Sequence, residues 1–119
     1  MSKAYIANNS KEILIELSKD ECVYVRTIVA ANPNTPPEVL IELSKHDDSN
    51  TLYNVSSNPN TPIEILDKLS KHEDKLLRQN IANNINTSLE TLIELCNDYH
   101  KNVSFIATQN RMRRLVLLK

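Results

Sequence analysis

Residues 32–46 read NPNTPPEVLIELSKH, and residues 58–72 read NPNTPIEILDKLSKH. The two blocks agree at eleven of fifteen positions, at an offset of 26 residues. A repeat of that period means stacked supersecondary units, each too small to bury its own apolar face. The period extends outward through the chain. Asn32, Asn58, Asn84 and Asn110 fall 26 apart, and Asn34, Asn60 and Asn86 follow in step, as do Thr35, Thr61 and Thr87. Glu38, Glu64 and Glu90 keep the phase, as do Leu40, Leu66 and Leu92 and then Leu43, Leu69 and Leu95. Carried backwards, the frame reaches Glu12, Leu14 and Leu17.

Each unit reads as two helices. Thr35-Pro-Pro-Glu38 has the pattern of a capping box, in which the Thr hydroxyl accepts from the N3 amide and the Glu reaches back. Pro36 then stands at N1, where its missing N–H costs nothing. Thr61 with Glu64 and Thr87 with Glu90 repeat the device, and Asn9-Ser-Lys-Glu12 writes it with Asn. Apolar faces follow, such as Val39, Leu40 and Leu43, or Ile65, Leu66 and Leu69. The second, B, helices are expected near 10–19, 36–46, 62–72 and 88–98.

The first, A, helix of each unit comes before. Val25, Ile28 and Val29 have helical spacing, and the phase continues in Val55, Leu77, Ile81, Val103 and Ala107. Ala30, Ser56, Ala82 and Thr108 share a phase and are small, as close backbone approach requires. Asp48 and Asp74 suit the N-cap and the helix dipole. The A helices are expected near 22–31, 49–57, 75–83 and 101–109. The chain is thus expected to be a single helical-repeat domain over 1–119. It comprises a half repeat 1–22, repeats 23–48, 49–74 and 75–100, and a degenerate repeat 101–119.

The phrase NPNTP is a stop, a turn and a start in five residues. Two tendencies compete at Asn32. An Asn after a helix favours the left-handed C′ conformation, whereas a following proline drives it to extended backbone. The sequence leaves its dihedrals open.

With these residues in place, the chain resembles the leucine-rich repeat variant family. VRTIVAANPNTPPEVLIEL at 25–43 carries that repeat almost letter for letter; NVSSNPNTPIEILDKL at 54–69 matches its second half, with Leu52 where an Arg stands in the pattern. LRQNIANNINTSLETLIEL at 77–95 keeps Arg78 and loses both prolines. The resemblance implies an all-α fold: an α-solenoid of paired helices wound into a right-handed superhelix, with one helix of a pair sometimes tightened to 3₁₀. Some members hold an iron–sulfur cluster on an N-terminal cysteine cluster, which this chain lacks, so no cofactor is carried over.

Composition narrows the function classes. The 119 residues carry a net charge of −1, no glycine and 4% aromatics. Without glycine there is no phosphate-cradling loop, and no G-x-S-x-G or H-E-x-x-H occurs. No enzyme activity and no catalytic residue are expected. His46 and His72, in one phase beside Asp47, Asp48, Glu73 and Asp74, form a ridge whose repeat spacing is too long for one metal ion, so no metal site is expected. Cys22 and Cys96 read as reduced thiols, too far apart in the repeat to pair. No secretory leader or membrane span is expected, and the location is expected to be cytoplasmic.

Binding candidates lie where the repeat changes its letter. One phase reads Thr27, Tyr53, Gln79, Phe105; another reads Tyr24, Asn50, Leu76, Asn102; a third reads Ala31, Ser57, Asn83, Gln109. Aromatic residues on an exposed solenoid face are anchors of the hot-spot type. The expected function is non-enzymatic binding of a protein or peptide, with Tyr24, Arg26, Tyr53, Arg78, Gln79 and Phe105 as contact residues. Arg26 and Arg78 read equally as structural ties between repeats. The alternative is nucleic-acid binding through Arg26, Arg78 and the basic tail Arg111, Arg113 and Arg114. In the tail, Leu115, Val116, Leu117 and Leu118 need a cover. Either they fold back on the last helix pair or they form a homodimer with another copy.

Overall fold

Between residues 11 and 117, the span that the computed structural model describes, no residue has a positive φ. Chains commonly turn with glycine in the left-handed region. This one has no glycine, and it turns entirely within the backbone regions open to every residue. Asn32 has φ −73° and ψ 121°, Asn58 −77° and 125°, Asn84 −72° and 130°. The extended conformation therefore prevails at Asn32. It also prevails at Asn84, where Ile85 replaces the proline.

What holds the corner is the Asn and Thr chemistry. The Oδ1 of Asn32, Asn58 and Asn84 accepts from the N–H of Asn34 (2.8 Å), Asn60 (2.9 Å) and Asn86 (2.8 Å), an Asx turn. The N–H groups of Thr35, Thr61 and Thr87 donate to the carbonyls of those Asn residues at 3.0, 3.1 and 3.2 Å. The hydroxyls of Thr35, Thr61 and Thr87 donate to Val29, Val55 and Ile81 O, each at 2.6 Å.

This corrects the capping-box reading. The three threonines bond backward to the A helix, not forward to the B helix. The last carbonyls of an α-helix lack intrahelical donors, and the buried hydroxyl supplies one. Demand at the start of the B helix is lower where prolines have removed its amides. Pro36 is itself the N-cap there, with no side-chain bond. In the unit without prolines, Ser88 is the cap and accepts from Thr91 N–H at 3.1 Å. The cap assigned to Asn9 lies outside the described residues.

The corners join eight α-helices, and the described residues contain no strand. The B helices are α1 (Lys11–Leu17), α3 (Pro37–Leu43), α5 (Ile63–Leu69) and α7 (Leu89–Cys96). The A helices are α2 (Val23–Ala31), α4 (Ser49–Ser57), α6 (Lys75–Asn83) and α8 (Lys101–Leu117). All are α-helical, with none tightened to 3₁₀. The expected caps at Asp48 and Asp74 are present, accepting from Thr51 N–H and Leu76 N–H at 2.9 Å each. The B helices end earlier than expected, in turns such as Lys45 N–H to Glu42 O at 3.2 Å.

α8 departs most from expectation. It runs 17 residues, straight through Asn110. Arg111 and Arg113 stand where the repeat has Pro and Thr, so neither the block on helix continuation nor the backward hydroxyl bond is present. No new B helix begins.

The chain forms two compact units, Met1–Pro62 and Ile63–Lys119. In the first, α2 packs on α4, and Val29, Ala30, Leu40, Leu43 and Val55 are buried. In the second, α8 packs on α6 and α7, and Leu66, Ile81, Ala82, Leu92, Val103 and Ala107 are buried. Two A-helix positions differ from the reading. Ile28 is exposed rather than core, and Thr108 is exposed rather than a close-approach residue.

A buried asparagine rung is seen in each unit. Asn58 Nδ2 donates to Ala30 O (2.9 Å) and Asn32 O (3.0 Å). In the second unit Asn110 Nδ2 donates to Ala82 O (2.9 Å) and Asn84 O (3.2 Å). A second rung lies beside the first. Asn60 Nδ2 reaches Pro33 O (2.7 Å) and Thr35 O (3.1 Å). Where that Asn is absent, the Arg114 guanidinium donates to Asn84 O (2.9 Å), Ile85 O (2.8 Å) and Thr87 O. The carbonyls of Ile85 and Thr87 occupy the same repeat phases as those of Pro33 and Thr35.

The rung predicts a ranking. Asn58→Ala removes the donor of the buried Ala30 carbonyl and one of the two donors to Asn32 O, and should cost about 2–3 kcal/mol. Pro59→Ala, beside it but exposed, should cost under about 1 kcal/mol through unfolded-chain entropy. Urea melts check the order; a larger loss for Pro59→Ala would mean that proline, not asparagine, holds the corner.

Candidate functional site

The arginines come first, because their placement decides which surface is available. Arg26 Nη1 donates to Asp20 O (2.7 Å) and Glu21 O (3.2 Å), and Nη2 to Asp48 Oδ1 (3.1 Å). Arg78 does the same one phase-match later. Its Nη1 donates to His72 O and Glu73 O, both at 2.9 Å. Its Nε and Nη2 grip Asp98 at 2.8 and 3.3 Å. The Tyr99 ring lies 5.2 Å from the guanidinium carbon. The side chains of Arg78 and Asp98 are only 6% and 9% exposed.

Arg26 and Arg78 thus make internal ties, the structural role that the sequence offered beside partner contact. Each satisfies the loop carbonyls in front of its helix, carbonyls that no backbone amide reaches, and pairs with a carboxylate. Burial pushes the Asp98 carboxyl upward. The hydrogen bonds from Arg78 and from His100 N–H, with the Arg78 charge, outweigh it and hold Asp98 below the ordinary carboxylate range. On the other side, the bond to Asp98 outweighs burial and raises Arg78.

Tyr24, Tyr53, Gln79 and Phe105 lie on the outer side of the A helices. Tyr24 is 77% exposed, Phe105 63% and Tyr53 41%, and Gln79 is half-buried. Helical spacing adds neighbours to each. On α2 the face is Tyr24, Thr27, Ile28 and Ala31; on α4, Asn50, Tyr53, Asn54 and Ser57. On α6 it is Leu76, Gln79, Asn80 and Asn83; on α8, Asn102, Phe105, Ile106 and Gln109. None of these sixteen residues is charged. Within the first unit, Asn54 Nδ2 donates to Thr27 O at 3.0 Å and ties α4 to α2 on this face. Ile28 belongs to the face and was missed. Its phase reads Ile, Asn, Asn, Ile, a mixture that a core position does not tolerate.

The outer sides of the B helices are the opposite in character. α3 carries Glu38, Ile41 and Glu42, with Lys45 in the turn after it, and α7 carries Glu90, Ile93 and Glu94, all outward. The outer sides of these B helices are thus charged, whereas the stripe of sixteen A-helix residues presents aromatic rings, aliphatic side chains and amides; the A helices carry their exposed charges, Lys75, Lys101 and Arg113, outside that stripe.

Of the tail arginines, Arg114 points inward to the third corner, as described above; burial and the neighbouring Arg113 lower its pKa. Arg113 is exposed and Arg111 half-buried. Leu115, Val116 and Leu117 are exposed, so they do not fold back on the last helix pair; Leu118 lies outside the described residues. His46 Nε2 lies 3.2 Å from Ser18 O, and His72 Nδ1 accepts from Asp74 N–H at 3.0 Å. Among the described residues no group of three or more His, Cys, Asp or Glu is placed to hold a metal ion. No helix among them is long and apolar enough to cross a membrane. Both cysteines are free thiols.

No family model, curated protein or solved structure matches the chain.

The Arg78–Asp98 tie has a pH signature. A carboxyl whose pKa is lower in the folded state contributes stability that is present above its unfolded pKa, about 3.9. That stability is lost as pH falls through the folded value. Removing one partner of a buried pair costs about 3–5 kcal/mol. Asp98→Asn should therefore be clearly less stable than wild type at pH 7, with the gap narrowing as pH drops below about 4. Urea melts across that range check it, and a gap that is constant with pH would exclude an ionised Asp98.

Proposed function

We propose that the chain is a non-enzymatic binding scaffold, an α-solenoid with a 26-residue period of the leucine-rich repeat variant kind. It engages a protein or peptide through the uncharged outer face of its A helices. The observation that carries the reading is the segregation of charge. Tyr24, Ile28 and Tyr53 in the first unit, and Leu76 and Phe105 in the second, are exposed apolar groups with amides between them and no acid or base among them. Aromatic side chains framed by hydrogen-bonding groups are what protein-recognition surfaces concentrate at their centres. Amides donate and accept at once and suit the backbone of a bound segment.

The solenoid reading is supported by recurrence. Asn110 repeats the bonds of Asn58, and Arg78 the loop-carbonyl bonds of Arg26, at the phases the period requires. The nucleic-acid reading loses its main cations, since Arg26, Arg78 and Arg114 are engaged internally. The non-enzymatic part rests on the sequence, which carries no phosphate-cradling loop, no G-x-S-x-G and no H-E-x-x-H.

Selection of a random-peptide display library on the immobilised protein tests the reading. Selected peptides should bind Tyr24→Ser and Phe105→Ser variants at least tenfold more weakly than wild type, a change of about 1.4 kcal/mol. An Ile41→Ser variant on the charged side should bind as wild type does. Peptides indifferent to Tyr24 and Phe105 would reject the outer A face as the site.

A further inference from the structure

The charge of the chain changes sign near its end. From Tyr99 to Lys119 there are five Lys and Arg and no Asp or Glu; the preceding residues hold all fifteen acids against nine bases. The basic stretch is α8, and its last turns are also the most apolar exposed surface of the second unit. Val116 is 69% and Leu117 84% exposed, beside Met112, Leu115 and Ile85. Two concavities lie here. One, of about 540 Å³, is lined by Asn83, Ile85, Asn110, Arg113, Arg114 and Leu117. The other, of about 360 Å³, is lined by Met112, Arg113, Val116 and Leu117. Arg113 and Leu117 border both. Among the described residues Arg113 has neither a hydrogen bond nor an ion pair.

The same unit carries the complementary surface. On α7, Glu90, Ile93 and Glu94 occupy one exposed face by their i, i+3, i+4 spacing. On α3 and α5, Glu38 pairs with Lys11, Glu42 with Lys45 and Asp67 with Lys71. α7 contains no Lys or Arg, and Glu90 and Glu94 have no ion pair among the described residues. One helix thus offers an apolar hollow bordered by the unengaged Arg113, and another offers an apolar side chain flanked by unpaired carboxylates.

We infer that the last turns of α8 dock on the outer face of α7 in a second copy of the chain. Ile93 enters the hollow bordered by Met112, Val116 and Leu117, and Glu94 faces Arg113. The apolar contact supplies affinity in proportion to the area removed from water. The charge pairing sets register and encounter rate and makes the association weaken with salt. Nucleic acid is a poorer occupant, because much of the lining is apolar. An anionic lipid surface is also poorer, because the rest of the chain is acidic and α8 is held to its own unit by Val103, Ala107, Asn110 and Arg114.

Sedimentation velocity on the full chain, from micromolar to sub-millimolar, reads the outcome. The wild-type protein should gain mass with concentration, less so at high salt. Arg113→Glu alone and Glu94→Arg alone each set like charges against each other, and each should weaken self-association by roughly tenfold or more. Mixed in equal amounts, the two variants restore opposite charges at both contacts and should associate again. Arg113→Gln and Glu94→Gln, with circular dichroism melts, separate loss of pairing from loss of fold. A wild-type protein that stays monomeric overturns the inference. So does association that neither reversal weakens, a mixture that fails to recover, or binding to anionic vesicles without self-association.

Discussion

The side-chain amide of a buried asparagine, closing on two carbonyls of the preceding corner, is the interaction on which the described structure depends. A helix ends with carbonyls that need donors. None of the described residues takes the left-handed conformation that would supply them through a C-terminal cap. Here Asn58 and Asn110 supply them from the next repeat, and the same phrase supplies the rest locally. The Asx turn directs the backbone at extended dihedrals, and the Thr hydroxyl takes a carbonyl in the last turn of the A helix. Turn formation and repeat stacking are thus one network, with polar groups buried because they are satisfied.

That network has a consequence for the surface. Arg26 and Arg78 perform for the loops before α2 and α6 what the asparagines perform for the corners. The starts of α2 and α6 are then tied by residues that point inward, and the outer face is left mostly to exposed side chains, with Asn54 bonded there to Thr27 O. The outer face varies from repeat to repeat for that reason, and it is where aromatic and amide side chains collect without charge. The B helices keep the charged exterior.

Much of this was legible in the sequence. The period, the A-helix starts at Asp48 and Asp74, and the core leucines follow from spacing and capping chemistry alone. The direction of the Thr35, Thr61 and Thr87 hydroxyls was not, because a Thr followed by Pro and Glu fits a forward cap equally well. Only the burial of the hydroxyl beside Val29 O separates the two. The dihedrals of Asn32 were undecidable for a similar reason, and the corner at Asn84 shows that the side-chain bonds suffice without proline. The continuous α8 was within reach: Arg111 and Arg113 replace Pro and Thr, the two residues that stop one helix and secure the turn. What hid it was the intact Asn110, which keeps its bond to the previous corner while losing its role in a turn. Arg114 could not have been placed from sequence, since it serves the third corner from outside the repeat pattern.

The side-chain protons of the asparagines test the central claim most directly. Two-dimensional nitrogen–proton spectra resolve the NH₂ groups, and their exchange with water can be timed. Those of Asn58 and Asn110, bonded to two buried carbonyls each, should exchange only when the corner opens, far more slowly than those of the exposed Asn50 and Asn102. Exchange of all four at one rapid rate would mean that the amides do not hold the corners, and that the repeats stack by apolar packing alone.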